Sequence, residues 1–141
     1  MTLKIFTDGG ARGNPGPAAA GYVVYDDAGN LREKRGKPLG KATNNEAEYQ
    51  AVIEALEYAR GLKNQVTSIG FFLDSQLVVN QLNGIFKIKE PRLRNFKVKI
   101  QELENGLAPA KITYSYVPRA ENWQADKLVN ETLDRLQFSY D

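Results

Sequence analysis

Two aspartates stand directly after apolar runs, where an ionised side chain needs a compensating partner. Asp8 follows the run 3–7, and Asp74 follows the run 66–73. A charged carboxylate next to a buried strand is costly unless water, a hydrogen-bond donor or a cation compensates it. Binding a cation would explain both positions. For Asp74 a second explanation stays open, because a helix is predicted to begin right after it and aspartate is a good helix N-cap.

Two predicted helices carry further carboxylates. Thr43 and Glu46 have the spacing of a capping box at the start of a predicted helix 43–60, which explains Glu46 without any ligand. Glu48 lies at the edge of the apolar stripe of this helix and has no such local explanation, so it is the better ligand candidate. Asp126 lies near the start of the last predicted helix, where the helix dipole also favours negative charge. Taken singly, each of these carboxylates is ambiguous.

The composition narrows the chemistry that these residues can do. The 141-residue chain contains no cysteine and no histidine, which excludes zinc fingers, thiol catalysis and a serine–histidine triad. Carboxylates are then the only strong metal ligands, and oxygen ligands suit Mg²⁺ or Mn²⁺. The length and the 42% hydrophobic content predict a single domain, 1–141, with its own core.

The sequence does not predict a membrane segment. The start MTLKIFTDGG lacks a basic region followed by an apolar one, and no apolar run reaches the roughly 18 residues of a membrane span. We therefore expect a cytoplasmic protein with no membrane partner.

The glycine-rich stretch DGGARGNPGPAAAG, residues 8–21, is either a phosphate-binding loop or a turn. It fits neither the dinucleotide pattern G-x-G-x-x-G opening a helix nor the P-loop pattern ending in G-K-[ST]. Pro15 and Pro17 also stand where a phosphate loop would need backbone N–H donors. What remains is a wide turn that presents Asp8 at a sheet edge and leaves Asn14 to make a polar contact. A plain hairpin turn is the simpler alternative.

Hydrophobic periodicity predicts an α/β domain with the element order βββαβααβα. The predicted strands cover residues 3–8, 21–25, 31–38, 66–73 and 111–117, and the predicted helices cover 43–60, 75–82, a helix beginning near 91 and a last helix beginning at 122. Short turns join the first three strands as an antiparallel meander. Helices separate the later strands, which predicts parallel pairing and hence a mixed sheet.

Positive charge is concentrated in two segments although the formal net charge is only +2. Residues 86–100 contain six basic side chains against Glu90 alone, and residues 32–41 contain five against Glu33 alone. Such patches on a nearly neutral protein indicate a polyanionic partner. Solvated charged faces are the competing explanation for each segment.

Four segments, in this order, resemble the motifs of the type 1 ribonuclease H family: TDGGARGNPGPAAAGY, TNNEAEYQAVIEAL, LDSQLVVNQL and ENWQADKLVN. The resemblance extends from residue 5 to about residue 133. It implies a ribonuclease H-like fold, with a five-stranded mixed sheet flanked by helices. It also implies an endoribonuclease that cleaves the RNA strand of RNA–DNA hybrids with two divalent cations, Mg²⁺ or Mn²⁺. The products would carry 5′-phosphate and 3′-hydroxyl ends.

This resemblance assigns the catalytic and metal-binding roles to Asp8, Glu48, Asp74 and Asp126. The family motif selects Glu48 over Glu46, in agreement with the capping-box argument. Asp8 would bridge both ions. Glu48 and Asp74 would help to hold the ion on the leaving-group side, and Asp126 would hold the ion that activates water. Because clustered carboxylates repel one another, we expect metal to stabilise the protein.

The family resemblance also implies contacts with an RNA–DNA hybrid, the expected partner of a monomeric enzyme. Positions that read RNA 2′-hydroxyls in a shallow minor groove fall on side chains that both donate and accept hydrogen bonds: Asn14, Asn44, Asn45 and Gln76. Thr43 matches a position that contacts a DNA-strand phosphate, although helix capping alone would explain it.

Two features depart from the family pattern. Many members carry a histidine in the loop before the last helix; here that loop holds Arg119, which could contact phosphate but cannot shuttle a proton near neutral pH. The connection 83–91 is too short for the extra helix and basic handle of some members, so we expect a compact form without a separate hybrid-binding domain. A reduced basic patch, aided by stacking on Phe86, would be formed by Lys87, Lys89, Arg92 and Arg94.

Two rival functions stay open at the level of the sequence. A non-catalytic hybrid-binding module would keep the fold, but it would gain nothing from carboxylates packed against phosphates. Another metal nuclease of the same broad fold would cut DNA or double-stranded RNA. The polar side chains at the minor-groove positions favour a hybrid over these substrates.

Overall fold

A computed structural model describes residues 1–140, the last three of them by their backbone only. The strands are β1 Thr2–Ala11, β2 Gly16–Tyr25, β3 Leu31–Ala42, β4 Ser68–Leu73 and β5 Lys111–Tyr116. The α-helices are α1 Asn44–Arg60, α2 Gln76–Leu82, α3 Pro91–Gly106 and α4 Trp123–Tyr140, and a 3₁₀ turn, Arg119–Asn122, precedes α4.

The strands form one mixed sheet in the order β3-β2-β1-β4-β5. The pairs β1–β2 and β2–β3 are antiparallel, whereas β1–β4 and β4–β5 are parallel. The predicted meander followed by two parallel strands is therefore confirmed. The parallel strands need crossover helices, and α1 provides the first crossover between β3 and β4.

Helices cover both faces of this sheet. α1 lies on one face with α3 packed against it, over a core that includes Leu3, Ile5, Tyr49, Leu56, Phe71 and Ile100. α4 lies on the other face, where a smaller cluster contains Ala19, Val129 and Leu133 with Leu136 packed against it. Among residues 1–140, no helix is long and apolar enough to cross a membrane.

The antiparallel strands extend further than the sequence predicts. The prediction that β1 ends at Asp8 is wrong: Asp8 pairs with Gly21, and the ladder continues to Ala11 opposite Ala18. Glycine, alanine and proline have low β-propensity, but ladder pairing and burial between two helix layers outweigh it here. The turn is reduced to residues 12–15, and β3 likewise runs on to Ala42.

The start of α1 confirms the predicted capping box. Thr43 Oγ1 accepts a hydrogen bond from the Glu46 backbone N–H at 3.1 Å, and Glu46 Oε1 accepts one from the Thr43 N–H at 2.9 Å. Glu46 therefore has a structural task at the helix terminus. The predicted start of the last helix is wrong by one residue, because Asn122 belongs to the 3₁₀ turn and α4 begins at Trp123.

Candidate active site

Asp8 and Asp74 meet where the parallel part of the sheet ends. The β1–β4 pairing stops at Phe6 opposite Phe72, and β4 itself ends at Leu73. Asp8 therefore lies just beyond the end of β4, although it remains paired with β2 on its other side. The carboxyl ends of parallel strands share one edge of a sheet, which places both aspartates there.

Glu48 reaches this edge because α1 crosses very close to β1. A Cβ atom at Gly9 would lie 2.2 Å from the backbone carbonyl of Ala47 and 2.5 Å from the Glu48 nitrogen. Only glycine permits such an approach. As a result, carboxylate oxygens of Asp8, Glu48 and Asp74 lie within 4.8 Å of one another. We call these three residues the carboxylate cluster.

Asp126 approaches the carboxylate cluster from the opposite face of the sheet. A Cβ atom at Gly21, the cross-strand partner of Asp8, would lie 2.8 Å from the Ala125 carbonyl oxygen, so a glycine here lets α4 pack closely. The negative charge of Asp126 contributes to the raised pKa of Asp8. Its Oδ1 also accepts a hydrogen bond from Arg119 Nη2 at 3.3 Å.

Helix capping does not explain Asp74. The N-cap of α2 is Ser75, whose Oγ accepts a hydrogen bond from the Val78 N–H at 3.2 Å. Asp74 Oδ2 instead accepts a hydrogen bond from Asn122 Nδ2 at 3.3 Å. Of the two explanations that the sequence left open for Asp74, the N-cap is therefore ruled out.

Burial and mutual repulsion make the carboxylate cluster hard to ionise. Burial, then the charge of Asp74, raises the pKa of Asp8 to about 7; the hydrogen bond with Glu48 acts in the opposite direction and the charge of Asp126 adds to the rise. Burial also raises the pKa of Glu48 well above its ordinary value, with further contributions from Asp8 and Asp74. A bound cation would remove both penalties, because it replaces lost solvation and offsets the repulsion.

The carboxylate cluster fits a hard divalent cation. Glu48 Oε2 is buried and has no hydrogen-bond partner among the side chains and backbone groups that the structure describes. A buried carboxylate oxygen without a donor needs a cation or an ordered water. Oxygen-only ligands of this kind suit Mg²⁺ or Mn²⁺.

An open cavity of about 360 Å³ lies over these carboxylates. Its wall includes Asn44 and two cations, Arg12 and Arg119. The neighbouring Asp126 is the main cause of the raised pKa of Arg119, and burial has little effect on that pKa. The Arg119 side chain is 80% exposed, so it is accessible to an anion entering the cavity.

The structure brings two of the predicted minor-groove residues into one hydrogen-bond network. Asn14 Oδ1 accepts from the Asn44 N–H at 2.9 Å, and Asn44 Oδ1 accepts from the Ala11 N–H at 2.9 Å. This network ties the glycine-rich turn to the start of α1. It occupies the amide oxygens, which leaves the amide NH₂ groups as the donors to offer a ligand.

A second groove, of about 500 Å³, lies beside the N-terminus of α1 and is lined by part of the predicted basic patch. Asn45 lines it together with Phe86, Lys87 and Lys89. Gln76 is exposed at the first position of α2. We call the surface formed by Asn45, Phe86, Lys87 and Lys89 the lysine groove.

The other two residues of the predicted basic patch do not line the lysine groove. Arg92 forms an ion pair with Glu46 at 3.6 Å, in a depression between α1 and α3. Arg94 donates to the Lys89 carbonyl oxygen at 3.1 Å. The patch is thus divided, because two positions two residues apart on a helix point to roughly opposite sides of it.

Sequence reasoning missed two polar residues next to the carboxylate cluster. Arg12 forms an ion pair with Asp134 of α4 at 2.6 Å, and Asn122 is 1% exposed and bonded to Asp74. Both contacts join residues more than 45 positions apart, and no periodicity or local motif indicates them. An asparagine just before the last predicted helix was the available sequence signal, and it is a weak one.

Comparison with known proteins identifies a matching family and relatives of this chain. A family model described as "Reverse transcriptase-like" matches residues 6–132. The chain is 45% identical over 132 residues to the Ribonuclease HI of Halobacterium salinarum, covering 94% of this chain and 64% of that protein. It therefore spans somewhat less than two thirds of that relative's length.

Solved structures extend the comparison to the whole fold. The crystal structure of RNase H1 from Halobacterium salinarum superposes with a TM-score of 0.89 at 41% identity, covering 96% of this chain and 99% of that one. LC11-RNase H1 in complex with an RNA/DNA hybrid superposes with a TM-score of 0.90 at 39% identity, covering 96% and 99%. The chain belongs to the type 1 ribonuclease H family.

Proposed function

We propose that this protein is an endoribonuclease that hydrolyses the RNA strand of RNA–DNA hybrids. The observation that carries the proposal is the carboxylate cluster, three carboxylates within 4.8 Å of one another, with Asp126 close to Asp8 from the other face of the sheet. A binding module would gain nothing from this cluster, since it repels phosphate. Relatives named as ribonucleases H, one of them bound to a hybrid, give the substrate class its support.

Divalent cations are the cofactor that the carboxylate cluster would hold. Glu48 and Asp74 would hold one Mg²⁺ or Mn²⁺ and Asp126 a second, and Asp8, which interacts with both Asp74 and Asp126, would contribute to both. When bound, two such ions supply an activated water nucleophile and stabilise the leaving oxygen of a phosphodiester. Attack by water rather than by the RNA 2′-hydroxyl would leave 5′-phosphate and 3′-hydroxyl ends.

Arg119 would bind substrate phosphate at the edge of the cavity. It already faces an anion, Asp126, and its side chain is mostly exposed. The neighbouring carboxylate raises its pKa further, so it stays protonated and contributes charge and hydrogen bonds rather than proton transfer. This role differs from that of a titrating histidine in the same loop.

Selection of RNA at the scissile strand would depend on the side-chain amides around the start of α1. Asn14 and Asn44 are held by the turn–helix network, so their NH₂ groups are oriented before substrate arrives. Asn45, at the edge of the lysine groove, and Gln76, at the first position of α2, would add two further amides between the two strands of the hybrid. Such groups recognise 2′-hydroxyls in the minor groove of the hybrid. Thr43 would add a DNA-phosphate contact from the helix N-terminus, where backbone N–H groups favour anions.

The lysine groove would bind the second strand of the hybrid. Lys87 and Lys89 supply positive charge beside Phe86, which is 48% exposed and able to contact sugar or base. Because phosphate contacts release counterions, this part of the affinity would weaken as salt rises. We further infer that residues 1–141 act as one domain and as a monomer.

The test is cleavage of end-labelled RNA–DNA hybrid, RNA duplex, DNA duplex and single-stranded RNA, each with Mg²⁺, with Mn²⁺ and with chelator. We expect cutting of the hybrid's RNA strand alone, and only with metal. Asp74→Asn should abolish cleavage, while Asp27→Asn, the same substitution on an exposed turn, should retain it. Full activity of Asp74→Asn, or cutting of DNA or RNA duplex in preference to the hybrid, would contradict the proposal.

A further inference from the structure

Asn122 is almost completely buried in a part of the chain that is otherwise exposed. It is the last residue of the 3₁₀ turn, and only 1% of its surface is accessible, whereas Arg119, Glu121 and Trp123 beside it are exposed. A buried amide costs free energy unless its donors and acceptor are paired. Its contacts therefore indicate why an asparagine stands here.

The amide nitrogen of Asn122 joins three segments of the candidate site. Nδ2 donates to the Thr7 carbonyl oxygen at 2.8 Å and to Asp74 Oδ2 at 3.3 Å. Thr7 immediately precedes Asp8, and α4, which carries Asp126, begins immediately after Asn122. One side chain thus connects the backbone of β1, the carboxylate after β4 and the start of α4.

These contacts fix the orientation of the amide. Rotating the amide by half a turn would place its oxygen against a carbonyl oxygen and a carboxylate oxygen, which are both acceptors. In the observed orientation Oδ1 is buried and has no hydrogen-bond partner in the part of the chain that the structure describes. The side chain therefore tolerates an unsatisfied acceptor in order to present both N–H groups.

We propose that Asn122 is a positioning residue for metal binding, acting through Asp74. One N–H of Asn122 holds Asp74 in one orientation toward Asp8 and Glu48. No N-cap contact restrains Asp74, because the N-cap of α2 is Ser75. Its second donor fixes the separation of β1 and α4, and with it the distance from Asp8 to Asp126. The inference depends on one part of the proposed function, namely that the carboxylates bind a divalent cation.

A merely structural role makes a different prediction. Loss of a buried hydrogen bond lowers stability wherever it occurs. Loss of a donor to a metal-ligating carboxylate typically weakens metal binding by about 10- to 100-fold. Metal affinity in the folded protein therefore separates the two roles.

The experiment compares Asn122→Leu, which keeps the approximate shape but removes both donors, with Asn83→Leu. Asn83 is a control of the same residue type: it is exposed at the C-cap of α2, at the opposite end of that helix from Asp74, and its Nδ2 donates to the Tyr114 carbonyl oxygen at 3.1 Å. Mn²⁺ binding is measured by titration calorimetry without nucleic acid, stability by urea unfolding in chelator, and kcat and KM on hybrid with Mg²⁺.

We expect Asn122→Leu to bind Mn²⁺ at least about 10-fold more weakly than the unmutated protein, with kcat reduced more than KM. Asn83→Leu should lose stability and keep the Mn²⁺ affinity. Asn122→Ser, which retains one donor, should give an intermediate affinity. Unchanged Mn²⁺ affinity in folded Asn122→Leu would overturn the proposal, and so would failure of both Asn122 variants to fold, since that outcome assigns a structural role.

These outcomes are distinguishable from failure of the proposed function. An unmutated protein that binds Mn²⁺ but does not cut hybrid would refute the enzyme activity and leave the Asn122 comparison intact. An unmutated protein that cuts hybrid, with an Asn122→Leu variant of equal Mn²⁺ affinity, would refute the positioning role alone. An unmutated protein that neither binds Mn²⁺ nor cuts hybrid would overturn both.

Discussion

Replacing Asp8 by asparagine should stabilise the metal-free protein, and increasingly so as pH rises. Asp8 is buried in the carboxylate cluster, and its pKa is raised from 3.8 to about 7 by burial and by the charge of Asp74. Between pH 3.8 and about pH 7 the unfolded chain releases the Asp8 proton while the folded protein retains it. Because the folded state then binds more protons, stability falls as pH rises, and the loss is complete above about pH 7.

The size of this effect follows from the pKa difference. A change from 3.8 to about 7 corresponds to about 4 kcal/mol of lost stability at pH 8, since one pH unit is worth about 1.4 kcal/mol. Asparagine has no proton to release and is nearly the same shape. We expect Asp8→Asn to recover about 2–4 kcal/mol at pH 8 and about 1–2 kcal/mol at pH 5, since the unfolded chain is already ionised at that pH.

Urea unfolding in chelator at several pH values between 5 and 8 measures the difference in stability between Asp8→Asn and the unmutated protein directly. The control is Asp27→Asn, the same substitution on an exposed turn outside the carboxylate cluster. Adding Mg²⁺ should stabilise the unmutated protein more than Asp8→Asn. The reasoning is refuted if Asp8→Asn is less stable than the unmutated protein at pH 8, or if the gap between them does not widen with pH.

Two further predictions concern the backbone and the basic groove. Gly9→Ala should cost several kcal/mol of stability and reduce hybrid cleavage at least about 100-fold. The reason is that the new Cβ would lie 2.2 Å from the Ala47 carbonyl and push α1 away from β1. Urea unfolding and kcat measure the two effects, and near-normal activity would contradict the prediction. Replacing both Lys87 and Lys89 by alanine should raise KM for hybrid with little change in kcat, and should lower the slope of log KM against log salt by about 2; an unchanged slope would exclude phosphate contacts by these lysines.

The start of α1 and the change from antiparallel to parallel strand pairing could be predicted from the sequence because they depend on local patterns. The capping box of Thr43 and Glu46 is a four-residue pattern with one structural outcome, and it correctly left Glu48 without a structural task. The alternation of strands and helices after residue 42 limits the sheet to parallel pairing there. The grouping of Asp8, Glu48, Asp74 and Asp126 came from the resemblance to the ribonuclease H family, because each carboxylate taken singly was ambiguous.

The lengths of the strands and the support of the site could not be predicted in this way. Propensity ends β1 at Asp8, but pairing of glycine and alanine residues continues it to Ala11. The choice between capping and ligand roles for Asp74 depended on whether Ser75 takes the cap. Asn122 is bonded to a residue 115 positions away, and a contact of that range leaves no periodic signal in a single sequence.

The most direct test of the central claim is the chemistry of the product ends. Hybrid cleaved by the protein with Mg²⁺ is digested to completion, and the ends of the RNA fragments are identified by mass spectrometry. If the carboxylates hold ions that activate water, every internal cut leaves a 5′-phosphate and a 3′-hydroxyl. Fragments with 2′,3′-cyclic phosphate and 5′-hydroxyl ends would show attack by the RNA 2′-hydroxyl, and would contradict the role assigned to Asp8, Glu48, Asp74 and Asp126.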